Sequence, residues 1–384
     1  MRVLIRASML LGRRAGIGVY ALNLIKNLAK IDSKNDYLIC GNSYRRKIDE
    51  GVTSYFENHP NFSFRFVKLP QVIFNVFPIQ PLLSVESLFG QFDVHHETNF
   101  IPLKSKGKTI ITIHDMASKT FPETLQKSTL RDVNKNLPIA ASNATKIIAI
   151  SNKTKEDIMK YLHVSESKIK VIYMGCDKSF RKIKSAKKVE QIRSRYHLPR
   201  SFILYVGTIE PRKNLNLLVQ GYAKLPYVVR KDHKLVLVGQ QGWISQHFFR
   251  EIHKLDIGND IIFTGYIPDE DLPFIYNIAD IFVYPSLYEG FGLPALEAMA
   301  CGVPVIAANS SSLPEVVGDA GILIDPYNAE ELADAIEKIY KNPDLHQEMS
   351  DKGLKQARKF SWEKCAKETL SVYEEVYGTT NDVQ

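Results

Sequence analysis

The chain has little cysteine for its 384 residues: four, at positions 40, 176, 301 and 365, with no CxxC pair. That argues against a disulfide scaffold or a zinc site and fits a reducing compartment, where isolated cysteines act as small buried hydrophobes. No run of 18 apolar residues occurs, so no helix is expected to span a bilayer. The opening MRVLIRASMLLGRR breaks its apolar run with Arg6 and offers no small-residue cleavage site, so it is not read as a secretion signal. Short-period repeats, low-complexity tracts, basic–aromatic RNA motifs and helix-turn-helix patterns are also missing. Hydrophobic residues at 45% and charged residues at 24% exclude disordered, collagen-like and coiled-coil chains. The expectation is a cytoplasmic globular protein, long enough for more than one domain.

Charge is present in excess of one sign, and unevenly. Lys and Arg number 50 against 42 Asp and Glu, a net of +8. Residues 1–180 hold 26 basic and 15 acidic residues, residues 181–384 hold 24 and 27. The first half is thus expected to meet something acidic (nucleic acid, a phosphorylated acceptor or an anionic membrane surface) or to present a solvated basic face.

Short apolar runs alternate with amphipathic helical patterns. Strand-like runs fall at residues 2–6, 36–40, 63–67, 91–95, 108–113, 146–150 and 170–173. They resume at 202–206, 234–238, 260–264, 280–284, 304–307 and 321–324. Such alternation predicts parallel sheets with helices on both faces, an α/β chain. It stops over a Lys- and Arg-rich stretch at 177–200. The reading is a first Rossmann-like domain at 1–180, a linker at 181–200, a second Rossmann-like domain at 201–350 and a helical tail at 351–384 that returns to the first domain. Two doubly wound domains facing each other make a cleft at the carboxyl ends of their strands, where ligands bind.

The richest segment is DIFVYPSLYEGFGLPALEAMACGVPVIA, residues 280–307. A strand ends at Tyr284, a glycine-bearing turn follows, and Pro294 opens a helix, a favoured place for proline. Strand, glycine loop and helix together aim backbone N–H groups and the helix dipole at one spot, an anion site suited to a diphosphate. Glu289 and Glu297 flank the loop. A carboxylate would repel the phosphate, so both are better placed to accept hydrogen bonds from sugar hydroxyls. In YVGTIEPRKN, Arg212 and Lys213 sit where the loop after the second domain's first strand enters a helix, and a fixed cation there would neutralise charge on a departing phosphate.

With these residues the sequence resembles a GT-B-fold, retaining glycosyltransferase of the large nucleotide-sugar-dependent group called family 4. The Glu-x7-Glu motif is matched by Glu289 to Glu297 around GFGLP. VGTIEPRKN, LVLVGQQGW, FTGYIPDEDL and ADIFVYPS carry the resemblance further, with DVHH, TIHD and VIYMGCD as looser parts in the first half. GTIEPRKN is similar to mannosyltransferases of bacterial surface-polysaccharide assembly. The resemblance implies that Glu289 binds donor-sugar hydroxyls, Glu297 the ribose, and Lys213 the diphosphate, while the N–H groups of Phe291, Gly292 and Leu293 contact sugar and phosphate. Where many members carry Arg after the first strand's glycine, this chain has Thr208, and Arg212 is the candidate to compensate.

In the first half, Gly16-Ile17-Gly18-Val19-Tyr20-Ala21 formally fits G-x-G-x-x-A, which would suit an NAD-dependent oxidoreductase. The strand ends near Ala7, however, and the fingerprint needs its glycines directly after the strand. A loop closing on Gly16 and Gly18 fits better, and the resemblance places it by donor phosphate and acceptor. His114 and Asp115 follow a strand at the sheet's carboxyl edge, and the resemblance puts His114 beside the donor sugar. His95, His96 and Glu97 are read as lining the cleft, with no third ligand at metal spacing. The apolar residues 71–89, broken by Pro78 and Pro81, are read as core, or as lying on lipid beside Lys104, Lys106 and Lys108.

The expected reaction is transfer of a hexose, mannose as the best guess, from a nucleotide diphosphate sugar to a saccharide or lipid-linked hydroxyl, with retention. GDP-mannose is the favoured co-substrate. No cofactor, metal or nucleic acid is expected, since no Asp-x-Asp motif is placed to hold a metal. Peripheral contact with the inner face of an anionic membrane would account for the basic first half. The alternatives are a nucleotide-sugar epimerase of the same fold and the NAD-dependent oxidoreductase.

Overall fold

A computed structural model of the protein describes residues 1–11, 16–42, 48–68, 84–99, 105–242 and 246–379. The chain divides into two units, Met1–Gly175 with Ser361–Gln384, and Cys176–Phe360.

The first unit is built on a seven-stranded parallel sheet. Its strands are β1 (Arg2–Arg6), β2 (Asp36–Asn42), β3 (Phe62–Val67), β4 (Val94–Glu97), β5 (Lys108–Ile113), β6 (Lys146–Ala149) and β7 (Ile169–Val171). They lie in the order β3-β2-β1-β4-β5-β6-β7. β1, β2 and β4 are buried almost throughout, while the edge strand β3 alternates buried and accessible positions. Inner strands of a parallel sheet are covered on both faces and read as continuous apolar runs. The helix Gly16–Ile31 buries Tyr20, Ala21, Leu24, Ile25 and Leu28, one apolar stripe at helical spacing. That helix packs against the closing helix Trp362–Gly378, capped by Ser361. The C-terminal helix thus belongs to the first unit, as the sequence suggested.

The second unit has six parallel strands: β8 (Phe202–Val206), β9 (Lys234–Val238), β10 (Ile261–Gly265), β11 (Ile281–Tyr284), β12 (Val305–Ala308) and β13 (Ile322–Ile324). Their order is β10-β9-β8-β11-β12-β13. β8 and β11 are fully buried at the centre, and β10 at the edge alternates.

The boundaries differ from those read off the sequence. Residues 176–180 belong to the second unit. Within 181–200 lies a helix, Ala186–Arg195, which packs on the helix Leu272–Ile278. Arg195 and Tyr196 donate to Asp271 at 2.8 and 2.7 Å. With one buried residue, Ile192, the helix has too thin an apolar stripe to show in sequence. Residues 351–357 also stay in the second unit, within Pro343–Ala357, which packs on Leu293–Ala300. With these boundaries the first unit holds 27 basic and 19 acidic residues, the second 23 of each. The whole net charge sits on the first unit.

Among the described residues no helix is long and apolar enough to cross a membrane. Residues 71–83 and Lys104 lie outside the described residues; Val85–Phe89 is a short helix whose Val85 and Phe89 are core. Lys108 lies at the start of β5. Its ammonium donates to the carbonyls of Val376 and Tyr377, capping the closing helix at its negative end.

Candidate active site

In the second sheet the central pair β8 and β11 is flanked by β9 on one side and β12 on the other. The connections leaving β8 and β11 diverge there, and a crevice opens outside their carboxyl ends. The two most informative sequence segments are those two connections.

After β8 the chain runs through Gly207-Thr208-Ile209-Glu210 into a tight turn, Pro211–Lys213, and then the helix Leu215–Lys224. The neighbouring loop is locked to it, with Gly207 N–H donating to Val238 O and Ile209 N–H to Gln240 O. Gly239 is required here: a Cβ would stand 1.9 Å from Gly207 O. Asn214 takes a left-handed conformation, and its amide donates to Pro285 O at 3.2 Å and Pro326 O at 2.7 Å. Leu287 N–H donates to Arg212 O. The loops after β8 and β11 are therefore tied into one body.

Lys213 and Glu289 meet in that body. The ammonium of Lys213 donates to Glu289 Oε1 at 2.6 Å and to Tyr284 Oη at 2.9 Å, and lies 5.2 Å from the Tyr284 ring centre. Lys213 is 8% and Glu289 7% exposed. Arg212 donates to Glu289 Oε2 at 3.2 Å, Tyr288 O at 2.6 Å and Glu210 Oε1 at 2.7 Å. Arg212 thus braces the loop from inside, which accounts for a cation next to the lysine without assigning it to phosphate. Burial pushes the Glu289 carboxyl up, but Lys213 and Arg212 outweigh it and hold the group at about 2. Burial lowers the Lys213 ammonium below its ordinary range.

The glycine turn lies beside this pair. Gly292, at φ +106°, is the N-cap of the helix Leu293–Ala300, a conformation that favours glycine. No side chain caps this helix. Pro294 has no N–H, and those of Ala295 and Leu296 donate to Gly292 O, so the helix start offers the N–H of Leu293. Phe291 is buried by its side chain, edge-on to Phe360 at 5.6 Å. Thr208 is exposed, and its carbonyl accepts from Tyr205 at 3.2 Å. Glu297 is half-buried further along the helix and accepts from Tyr276 at 3.0 Å; burial pushes its carboxyl up to about 8.

Three serines were not picked out from the sequence. Ser311 Oγ accepts from Glu289 N–H at 2.8 Å. Ser312 Oγ lies 2.9 Å from the carbonyl oxygens of Glu289 and Phe291, and Ser310 Oγ donates to Ser286 O. They follow β12 and clamp the turn from below. A signal existed in their place after a predicted strand at the same sheet edge, but serine after a strand reads as an ordinary turn.

In the first unit, His114 follows β5. Its Nε2 lies 2.9 Å from Thr98 O, and its ring meets Tyr20 edge-on at 4.9 Å. A carbonyl only accepts, so Nε2 carries the proton. Burial lowers its pKa, which leaves Nδ1 as an acceptor. Gly16 and Gly18 are not the end of a loop. They form the first turn of the helix Gly16–Ile31, and residues 12–15 of the preceding connection lie outside the described residues. His95, His96 and Glu97 are not a cleft lining. They are β4 itself and are buried, because Glu97 pairs with Arg6 at 3.1 Å and His96 bonds Thr112 at 2.8 Å and Tyr373 at 2.6 Å.

Known proteins resemble the chain along nearly its whole length. Residues 188–356 match the family described as "Glycosyl transferases group 1", and residues 14–180 match "Glycosyltransferase Family 4". The chain is 33% identical over 364 residues to the O-antigen chain mannosyltransferase B of Escherichia coli, covering 93% of this chain and 95% of that one. It is 28% identical over 361 residues to the serotype-specific mannosyltransferase WbdA of Escherichia coli, covering 89% of this chain and 43% of that one. Among solved structures, sucrose-phosphate synthase from Thermosynechococcus elongatus superposes with a TM-score of 0.78 at 20% identity, over 99% of this chain and all of that one.

Proposed function

We propose, from the premise that the chain belongs to the family-4 glycosyltransferases and is a glycosyltransferase, that it moves mannose from GDP-mannose to a saccharide or lipid-linked hydroxyl in cell-surface glycan synthesis, keeping the anomeric configuration. The observation that carries this reading is the Lys213–Glu289 pair, held at 2.6 Å in the β8/β11 crevice beside the start of the helix Leu293–Ala300.

Breaking the bond between the anomeric carbon and the phosphate oxygen puts charge on the leaving diphosphate. Lys213 and the first-turn N–H groups at Gly292 and Leu293 stabilise that charge from fixed positions. Such an arrangement does the work a divalent metal would otherwise do. Glu289 keeps lone pairs beyond those used by Lys213 and Arg212, and these accept sugar hydroxyls. Glu297 accepts the ribose hydroxyls. His114 Nδ1 accepts a donor-sugar hydroxyl, and the first turn at Gly16 and Gly18 faces phosphate and acceptor. The acceptor oxygen bonds the anomeric carbon on the face the phosphate leaves, and its proton passes to the departing phosphate. The basic first unit holds the acceptor and meets the inner face of an anionic membrane.

Nucleotide release should be followed with GDP-, UDP- and ADP-sugars, with and without a mannose-terminated acceptor, in EDTA. The expected result is acceptor-dependent release of GDP from GDP-mannose and a product whose anomeric NMR coupling matches the donor's. Release without acceptor, or an inverted product, would overturn the reading.

A further inference from the structure

The second unit carries a basic pocket away from the residues described above. It has a volume of about 470 Å³ and is lined by Arg181, Lys182, Lys184, Ser185, Lys188 and Phe274, among others. Its charge belongs to a local imbalance. Residues 176–200 hold nine basic and two acidic residues, whereas residues 201–360 hold 14 and 21. Among the described residues none of these four cations forms an ion pair, and Glu270 is the single acid in the lining. A basic stretch is ordinarily a solvated face. Two features set this one apart.

The first is rigidity. Asn277 clamps the stretch on both sides, donating to Arg181 O at 2.9 Å and accepting from Ile183 N–H at 2.8 Å. Phe180 packs edge-on against Tyr276 at 5.7 Å, and Asp271 holds the far end through Arg195 and Tyr196. The cations stand on a fixed frame instead of a loose tail.

The second is electrostatic conflict. The helix Ala186–Arg195 begins at this pocket. Its N-cap Ser185 makes no side-chain capping bond, and its first turn has no acidic residue but carries Lys187 and Lys188. Positive charges oppose the positive end of a helix dipole, so this end is unfavourable as it stands. An anion seated there satisfies the orphan N–H groups, the dipole and the cations at once.

We propose that this pocket binds a phosphate ester, the phosphate seated among Arg181, Lys184, Lys188 and the helix start, and its apolar carrier lying against Phe274. The chemistry is shared by a phospholipid headgroup and by a soluble phosphorylated molecule.

The test measures binding alone. Flotation with phosphatidylcholine vesicles, with and without phosphatidylglycerol, probes the lipid source; calorimetric titration with glycerol phosphate probes the soluble one. The variant R181A/K184A/K188A is expected to lose about tenfold or more in whichever arm the native protein binds, since each cation near an anionic surface contributes on that order. A second variant separates binding from damage. Lys188→Glu places Glu three residues after the N-cap serine, completing a capping box, so it should raise the melting temperature while abolishing binding. Loss in the vesicle arm assigns a lipid headgroup, and loss in the titration arm a soluble phosphate. Undiminished binding by both variants, or no binding by the native protein in either arm, overturns the proposal.

Discussion

Each unit has a buried ion pair at the switch point of its sheet, and the two pairs differ in what they rest on. In the first unit Arg6 and Glu97 end β1 and β4 and are direct partners across the ladder, 3.1 Å apart and 4% and 3% exposed. Arg6 also donates to Asn42, and Thr98 Oγ1 bonds Arg6 O. The strands themselves fix this pair, and it is walled in. In the second unit Lys213 and Glu289 lie past the strand ends, on loops tied together by Asn214 and Arg212, beside a helix start. The same fold position thus holds a pair built into the strands in one unit and, in the other, a pair on loops that the proposed function assigns to the donor. Fold sets the crevice; residues carried beyond the strand ends give it chemistry.

Lys213→Ala should have the largest effect, and on two readouts. Loss of a preorganised charge partner lowers the rate by about 100-fold or more. It also leaves buried Glu289 with Arg212, 3.2 Å away, as its remaining cation, which destabilises by about 1–3 kcal/mol. The double variant Lys213→Met with Glu289→Leu should recover most of the stability and none of the rate. Denaturant melts beside GDP-release assays check both. A fully active Lys213→Ala protein would remove the comparison's premise.

Arg6→Ala sharpens the contrast. Its stability loss should be larger, about 3–5 kcal/mol, because buried Glu97 loses its guanidinium partner and keeps the His95 ring at 3.3 Å. Turnover per folded molecule should hold, as titration with an inhibitory nucleotide would show. A large fall in turnover with intact folding would make the first pair catalytic too.

His114→Ala should come next, with a fall of about tenfold, the scale of one hydrogen bond. Because burial keeps His114 neutral, the rate should show no step from this residue between about pH 6.5 and 9. Thr98 O is its proton acceptor, so His114→Asn, which can still accept a hydroxyl, should retain part of the rate. Equal loss in both variants would argue against hydrogen bonding as its role.

Much of this architecture was legible because local pattern carried it. The buried runs of β5, β8, β9 and β11 appear in sequence at or within a residue of their bounds, and EGFGLP announces a strand, a turn and a helix. The pairing of Lys213 with Glu289 was not legible, since 76 residues separate them and nothing local distinguishes a paired cation from a free one. His95-His96-Glu97 misled for the reverse reason: three polar residues look like a loop, and the partners that satisfy Glu97 and His96 inside the core, Arg6, Thr112 and Tyr373, come from elsewhere in the chain. Unit boundaries failed where a thin apolar stripe, as on Ala186–Arg195, was outweighed by lysines.

The smallest effect concerns Glu297, and its sign separates it from Glu289. Burial raises Glu297 to about 8 from an ordinary 4.5. Between these values the folded state holds a proton the unfolded state has released. The stability is therefore full below about pH 4.5 and declines as pH rises through about 8. Glu297→Gln removes that decline. The variant should melt like the native protein near pH 5 and higher near pH 9, by about 2–4 °C for each kcal/mol recovered. Ribose hydroxyls donate to the carboxylate, so nucleotide must bind the deprotonated form. Native affinity for GDP should rise with pH up to about 8 and then level, while the variant's stays flat and weaker. Glu289, held at about 2, is ionised throughout that range and gives affinity no such slope. A flat native profile, measured by calorimetry, would place the ribose somewhere other than Glu297.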